Sequence, residues 1–215
     1  MQEADTKRAL KRMLWVGLPL AIGSALAWYY RDWITARFFL RRLESDERLR
    51  RLRVDDVVRL LEIEPGSSVA DVGAGSGLFT GRFAERVGPS GRVLAADANP
   101  EMVAHLRRRF PVDESPNVHI VQTPRDAATL PESVDLVFVC LTLHHIPDPE
   151  GYVQSLAAHL KPGGRIAVIE FNQDSPMHHR KIVRSELDRW MSEADLQVVL
   201  EKDDLIEDAY LRIYG

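Results

Sequence analysis

The chain has 215 residues, 45% of them apolar and 28% charged, which is material for one well-packed α/β domain and too little for a second of similar size. A formal net charge of -4 supplies no global basic field of the kind that drives nucleic-acid binding, so no nucleic-acid partner is expected. The single cysteine, Cys140, provides neither an intrachain disulfide framework nor a cysteine-rich zinc site, and suits a reducing compartment.

The N-terminus departs from that soluble picture. From Met13 to Tyr30 the chain reads MLWVGLPLAIGSALAWYY without a charge, after Lys7, Arg8, Lys11 and Arg12 and before Arg31. At about 1.5 Å per residue a helix over this run spans roughly 27 Å, enough to cross a bilayer core. Trp28, Tyr29, Tyr30 and Trp33 stand where an interfacial belt would lie. Residues 13–30 therefore read as a membrane anchor within an N-terminal segment 1–33. Two alternatives stay open: Ala25-Leu26-Ala27 offers a signal-peptide cleavage site, and Gly17, Pro19 and Gly23 suit a helix lying on a surface. Arginines at 31, 37, 41, 42, 48, 50, 51 and 53 outnumber the basic residues before the apolar run, which directs the C-terminal side to the cytoplasm.

Residues 34–64 form the next segment, an amphipathic helical linker with Leu49, Leu52, Val57, Leu60 and Leu61 close to helical spacing and a break near Arg53. Pro65-Gly66 closes it and opens the domain proper, residues 65–215. From there strands are predicted at 68–72, 92–96, 118–122, 135–139 and 165–171, and helices at 78–87, 100–109 and 150–160. Such alternation implies parallel strands with right-handed crossovers and helices on both faces of the sheet. A longer helix follows over 179–193. Strands at 196–201 and 210–214, joined by an acidic turn, then form an antiparallel hairpin.

Val69 to Gly77, VADVGAGSG, is the most informative stretch: an apolar strand that ends on an acid and runs into a turn with glycine at every second position. Gly73, Gly75 and Gly77 let the backbone take positive φ and approach a ligand that a Cβ would obstruct. A dinucleotide fingerprint counted from Gly73 needs glycine at 78, where the chain has Leu78, so pyrophosphate binding is disfavoured. The amides of the helix that begins near Gly77 favour a ligand carboxylate. Asp71 can accept hydrogen bonds from the loop or from an ammonium group. Asp97 closes the second strand at a distance from the glycine loop where an acid can hold the paired hydroxyls of a ribose.

With these residues in place the chain resembles a family. VADVGAGSG, RVLAADANPEM, DAATLP, VDLVFVCLTLHHI and LKPGGRIAVIEF are similar, in order, to the motifs of class I S-adenosylmethionine-dependent methyltransferases, within the subgroup that includes the ubiquinone and menaquinone C-methyltransferases. The resemblance covers about residues 48–215. It implies a Rossmann-like seven-stranded sheet, mostly parallel with the last strand antiparallel, here preceded by a transmembrane or membrane-associated helix. It implies S-adenosyl-L-methionine as cofactor, with Asp71, Gly73, Gly75 and Gly77 around its methionine part and Asp97 on the ribose. Ala98 and Met102 would lie near the adenine, and Asp126 would bond the adenine amino group, although Thr123-Pro124-Arg125 lengthens the link before it.

Methyl transfer from a sulfonium needs no metal; the acceptor must be held in line while water is kept away. A base is required only if the nucleophile arrives protonated. Its candidates cluster after the fourth and fifth strands: His144, His145, Glu170, Asp174, His178 and His179, of which His144 is the catalytic expectation. The adjacent pair His178-His179 does not converge on one ion, so no metal is expected. Cys140 and Thr142 read as pocket walls, and Arg107-Arg108-Arg109 as a solvated helix face. The function expected is methyl transfer to a small or lipid-like acceptor at a membrane. The alternative is a non-catalytic, membrane-attached cofactor sensor or assembly factor.

Overall fold

A computed structural model describes residues 46–176 and 180–215. The expected anchor at residues 13–30 and the histidines His178 and His179 lie outside the described residues. Among those described, no helix is long and apolar enough to cross a membrane. All of them fall within one compact unit, Leu43–Gly215.

In chain order the elements are α1 (Asp46–Arg51), α2 (Val54–Leu60), β1 (Ser68–Val72), α3 (Leu78–Val87), β2 (Arg92–Asp97), α4 (Pro100–Arg109), β3 (Val118–Gln122), β4 (Val134–Cys140), a 3-10 turn (Leu143–His145), α5 (Pro149–Ala157), β5 (Leu160–Phe171), α6 (Arg184–Glu193), β6 (Val198–Ile206) and β7 (Ala209–Tyr214). The seven strands form one sheet in the order β3-β2-β1-β4-β5-β7-β6. β1 to β5 pair in parallel, and β7 runs antiparallel to both β5 and β6. This is the Rossmann-like architecture expected, with the last strand antiparallel.

Burial on both faces explains why the central strands read as continuous apolar runs while each residue still has a side. Ala70, Val72, Val137, Val139, Ile166 and Val168 face a layer closed by α5 and α6, through Tyr152, Val153, Leu156, Leu187 and Met191. Their neighbours Val69, Leu136, Phe138, Ala167 and Ile169 face the opposite layer, closed by α2, α3 and α4 through Val57, Phe83 and Leu106. Phe79, Phe83 and Phe138 stack at centroid separations of 4.6 to 5.9 Å in that second layer.

Residues 46–64, expected as a linker, share this layer. Leu52, Val54, Val57, Leu61 and Ile63 are buried in it. The break expected near Arg53 is present: Arg53 takes φ 47 between α1 and α2. Helices of six and seven residues are not stable alone, so packing against α3 and the sheet is what holds them.

Several boundaries differ from the sequence reading: α5 ends at Ala157 instead of 160, and β5 begins at Leu160 instead of 165 because Leu160 already pairs with Val134 of β4. The last helix starts at Arg184 instead of 179, because the residues before it are tied to other loops: Arg180 donates to the carbonyls of Ile146 and Pro147, and Lys181 to that of Ser175. The acidic stretch after Glu201 is strand instead of turn, and the hairpin reverses at Glu207–Asp208, where Asp208 has φ 61. Arg212 on β7 makes this possible, since its buried guanidinium reaches Asp203 at 2.9 Å and Glu201 at 3.3 Å.

Candidate active site

The carboxyl ends of β1, β2, β4 and β5 meet at one edge of the sheet, where ligands of open α/β sheets bind. The glycine loop begins there. Gly73 and Ala74 donate to the carbonyl of Ala96 at 2.8 and 3.1 Å, which pins the loop to β2. All three glycines have positive φ, at 73, 57 and 79. A Cβ at Gly73 would strike the side chain of Thr142, and one at Gly77 would stand 2.6 Å from the ring of Phe110. Glycine is therefore required both by the backbone and by what lies against it.

Asp71 is buried, and its Oδ2 accepts the Thr80 hydroxyl at 2.6 Å. Burial pushes its carboxyl up to about 7; the Thr80 bond opposes that shift and the charge of Asp97 adds to it. Asp97 is half-buried at the end of β2, with Oδ2 accepting the Gly75 amide and Oδ1 the Asn99 amide, both at 2.8 Å. Its carboxyl is also raised by burial, against the pull of the Asn99, Gly75 and Ala98 amides. Two acids in one crevice, each above its usual range, make a site that gains from a cation or from hydroxyl donors. Asp97 thus braces the glycine loop.

The remaining expected residues divide. Ala98 is half-buried beside Asp97, and Met102 is buried on the first turns of α4, whose start is capped by Asn99 accepting from Glu101. Asp126 instead sits exposed on the turn after β3, without a hydrogen-bond partner among the described residues. That turn is closed by Thr123, whose hydroxyl donates to the Ala127 carbonyl at 3.2 Å and accepts from the Thr129 amide at 3.0 Å. Arg109 is not part of a purely solvated face: it donates to the Ser76 carbonyl at 2.8 Å and so clamps the glycine loop from α4.

On the far side of the crevice, His144 is buried, with Nδ1 2.7 Å from Oε2 of Glu170, and its ring packs on His145 and Phe171 at 4.1 and 5.2 Å. The Cys140 thiol is pushed up to about 12 by burial, which leaves it protonated and unreactive. Thr142 donates to the Cys140 carbonyl at 3.0 Å. Among the described residues no group of His, Cys, Asp and Glu is arranged to hold a metal. An open groove of about 630 Å³ that includes Glu64, Asp135, Lys161 and Arg165 lies at the opposite, amino end of the strands.

The sequence reading missed Thr80 and Arg109 as partners of the glycine loop. It named Glu170 only as one of several bases. Helical spacing from the loop was the available signal for Thr80, which lies one turn into α3.

A glycine loop braced by the strand-end carboxylate Asp97, with the buried Asp71 at the end of the neighbouring strand, is an arrangement suited to a nucleotide-derived cofactor. Residues 69–164 match the family described as methyltransferase domain. Over these residues, somewhat less than half of the chain, the sequence is similar to a methyltransferase domain, and the fold is shared with solved S-adenosylmethionine-dependent methyltransferases. Among curated proteins it is similar to the ubiquinone/menaquinone biosynthesis C-methyltransferase UbiE of Pasteurella multocida, 34% identical over 113 residues, which are 52% of this chain and 42% of that protein. The match thus spans less than half the length of this relative. Among solved structures it is similar to an S-adenosylmethionine-dependent methyltransferase from Aquifex aeolicus, with TM-score 0.71 and 22% identity over 81% of this chain and 95% of the other. The glycopeptide N-methyltransferase MtfA complexed with S-adenosylmethionine aligns with TM-score 0.61 and 16% identity over 75% and 86% of the two chains.

Proposed function

We propose that this protein is a membrane-tethered enzyme that transfers the methyl group of S-adenosylmethionine to a small, lipophilic acceptor, with a quinone-like ring as the favoured class. The observation that carries the reading is the glycine loop held by Asp97 through Gly75, beside the buried Asp71 that is bonded to Thr80 of the following helix. Those residues fit the cofactor: Asp71 offers a buried carboxylate to an ammonium group, and Asp97 keeps acceptor capacity for ribose hydroxyls beside the two amides it already accepts. Ala98 and Met102 would flank the base, and Asp126 would need to turn inward to reach it. The bound cofactor supplies an electrophilic methyl group. The chain's own work is to orient the acceptor, exclude water and, for a hydroxyl-bearing acceptor, take up a proton at His144.

The acceptor class rests on the printed name of the curated relative and on the apolar run at residues 13–30. In this reading residues 1–33 anchor the chain with the domain on the cytoplasmic side. The domain begins in the packed helices before residue 65. Calorimetry with S-adenosylmethionine followed by labelled-methyl transfer to lipid extracts tests it: binding with label entering a lipophilic product is expected. Binding without turnover on any extract would favour a membrane-attached sensor, and no binding would sink both.

A further inference from the structure

A loop rich in glycine holds its own shape poorly, because glycine reaches more backbone conformations than any other residue. Here three consecutive loop residues are each held by α4 or by a residue that flanks it. The Gly75 amide donates to Oδ2 of Asp97 at 2.8 Å, and Oδ1 of the same carboxyl accepts the amide of Asn99, which caps the start of α4. At the far end of the helix Arg109 Nη1 donates to the Ser76 carbonyl at 2.8 Å. The Phe110 ring and Leu106 stand 2.6 and 2.8 Å from where a Cβ on Gly77 would lie. Helix α4 is therefore a splint for the loop, fastened at both of its ends.

Arg109 is the fastening whose role can be separated from the fold. Its side chain is exposed, with the guanidinium 5.5 Å from the centroid of the Phe110 ring that faces Gly77. Ser76, in contrast, is buried, and a buried carbonyl is costly to leave without a donor, so the bond fixes which way the peptide after Ser76 faces. The charge of Arg109 works against its geometry. S-adenosylmethionine carries an ammonium, a sulfonium and one carboxylate, so it is a net cation. A second cation beside the loop repels it, and loss of the Arg109 charge alone would tighten binding.

We infer that Arg109 is a positioning residue for the cofactor: through the Ser76 carbonyl it holds the glycine loop in the conformation that binds, so the loop is ordered before the ligand arrives. The consequence for affinity rests on the cofactor reading above.

Arg109→Met keeps the apolar stem beside Phe110 and removes both donor and charge. In the full chain without ligand, hydrogen exchange at the bonded amides of Gly73, Ala74, Gly75 and Gly77 should quicken about fivefold in this variant, with exchange in β1 and β4 unchanged. Calorimetry should show S-adenosylmethionine bound about fivefold more weakly. Arg108→Met removes the same charge from an exposed neighbour on α4; it should bind the cofactor as wild type does or slightly more tightly, and share the thermal midpoint of Arg109→Met. Arg109→Lys keeps a donor but lacks the planar fork, and should recover part of the loss. Tighter or unchanged binding in Arg109→Met overturns the inference, as does loop exchange equal to that of wild type. A wild type that binds no S-adenosylmethionine would instead overturn the cofactor reading, while quickened loop exchange in the ligand-free variant would still support the splint.

Discussion

Asp71 and Asp97 are where the chemistry of this chain is most exposed to test. Because burial raises Asp71 to about 7, a cationic ammonium should bind it best when it is ionised. Affinity for S-adenosylmethionine is therefore expected to rise as pH passes upward through about 7, and calorimetry across that range checks it. The stability sign is opposite. An unfolded Asp71 ionises in the ordinary carboxylate range, so between that range and about 7 the native state holds more protons, and this group makes the ligand-free protein less stable as pH rises. Replacing Thr80 by Val removes the hydroxyl that favours the ionised form and should move the midpoint of cofactor binding to higher pH. Asp97→Ala should weaken cofactor binding by roughly 1 to 3 kcal/mol, read by the same titration; unchanged affinity would refute the ribose role. At this scale Asp71 and Asp97 were legible because both stand at the ends of short apolar runs. Glu170 was not, since its partners at 142–144 lie 26 to 28 positions away and only the β4–β5 pairing brings them under it.

Elements show where periodicity sufficed and where it did not. Strands β1 and β3 and helices α3 and α4 have the boundaries expected, each framed by glycine, proline or asparagine. The segment 46–64 carried the right helical spacing, yet spacing cannot tell a helix that faces solvent from one that caps a sheet. Burial decides it: Val57 is completely inaccessible in the layer shared with Phe83 and Leu136. Val57→Ala should thus destabilise the fold by about 2 kcal/mol, measured by denaturant unfolding, where a solvated linker would give almost no change. In the glycine loop, Gly73→Ala meets both a φ of 73 and the side chain of Thr142. Loss of at least about 1 kcal/mol of stability is expected, together with loss of cofactor affinity. The acidic stretch of β6 misled in the other direction, because its charges suggest a turn unless one knows that Arg212 waits on the neighbouring strand.

For the whole molecule, the proposed membrane anchor makes a prediction of its own. The full chain should fractionate with membranes and be released by detergent but not by concentrated salt, which would release a protein held only by its arginines. Recovery of a mature chain beginning at Trp28 would overturn the anchor. By itself the amino-acid sequence determined the sheet's membership, the glycine loop and the two strand-end acids, because alternation, turn residues and short-range spacing are local properties of a chain. Only the tertiary structure decided that the helices before residue 65 belong to the core, that Asp126 faces outward, and that Glu170 holds the loop carrying His144. Those facts depend on which distant segments share a layer or a ladder, and no local pattern encodes that.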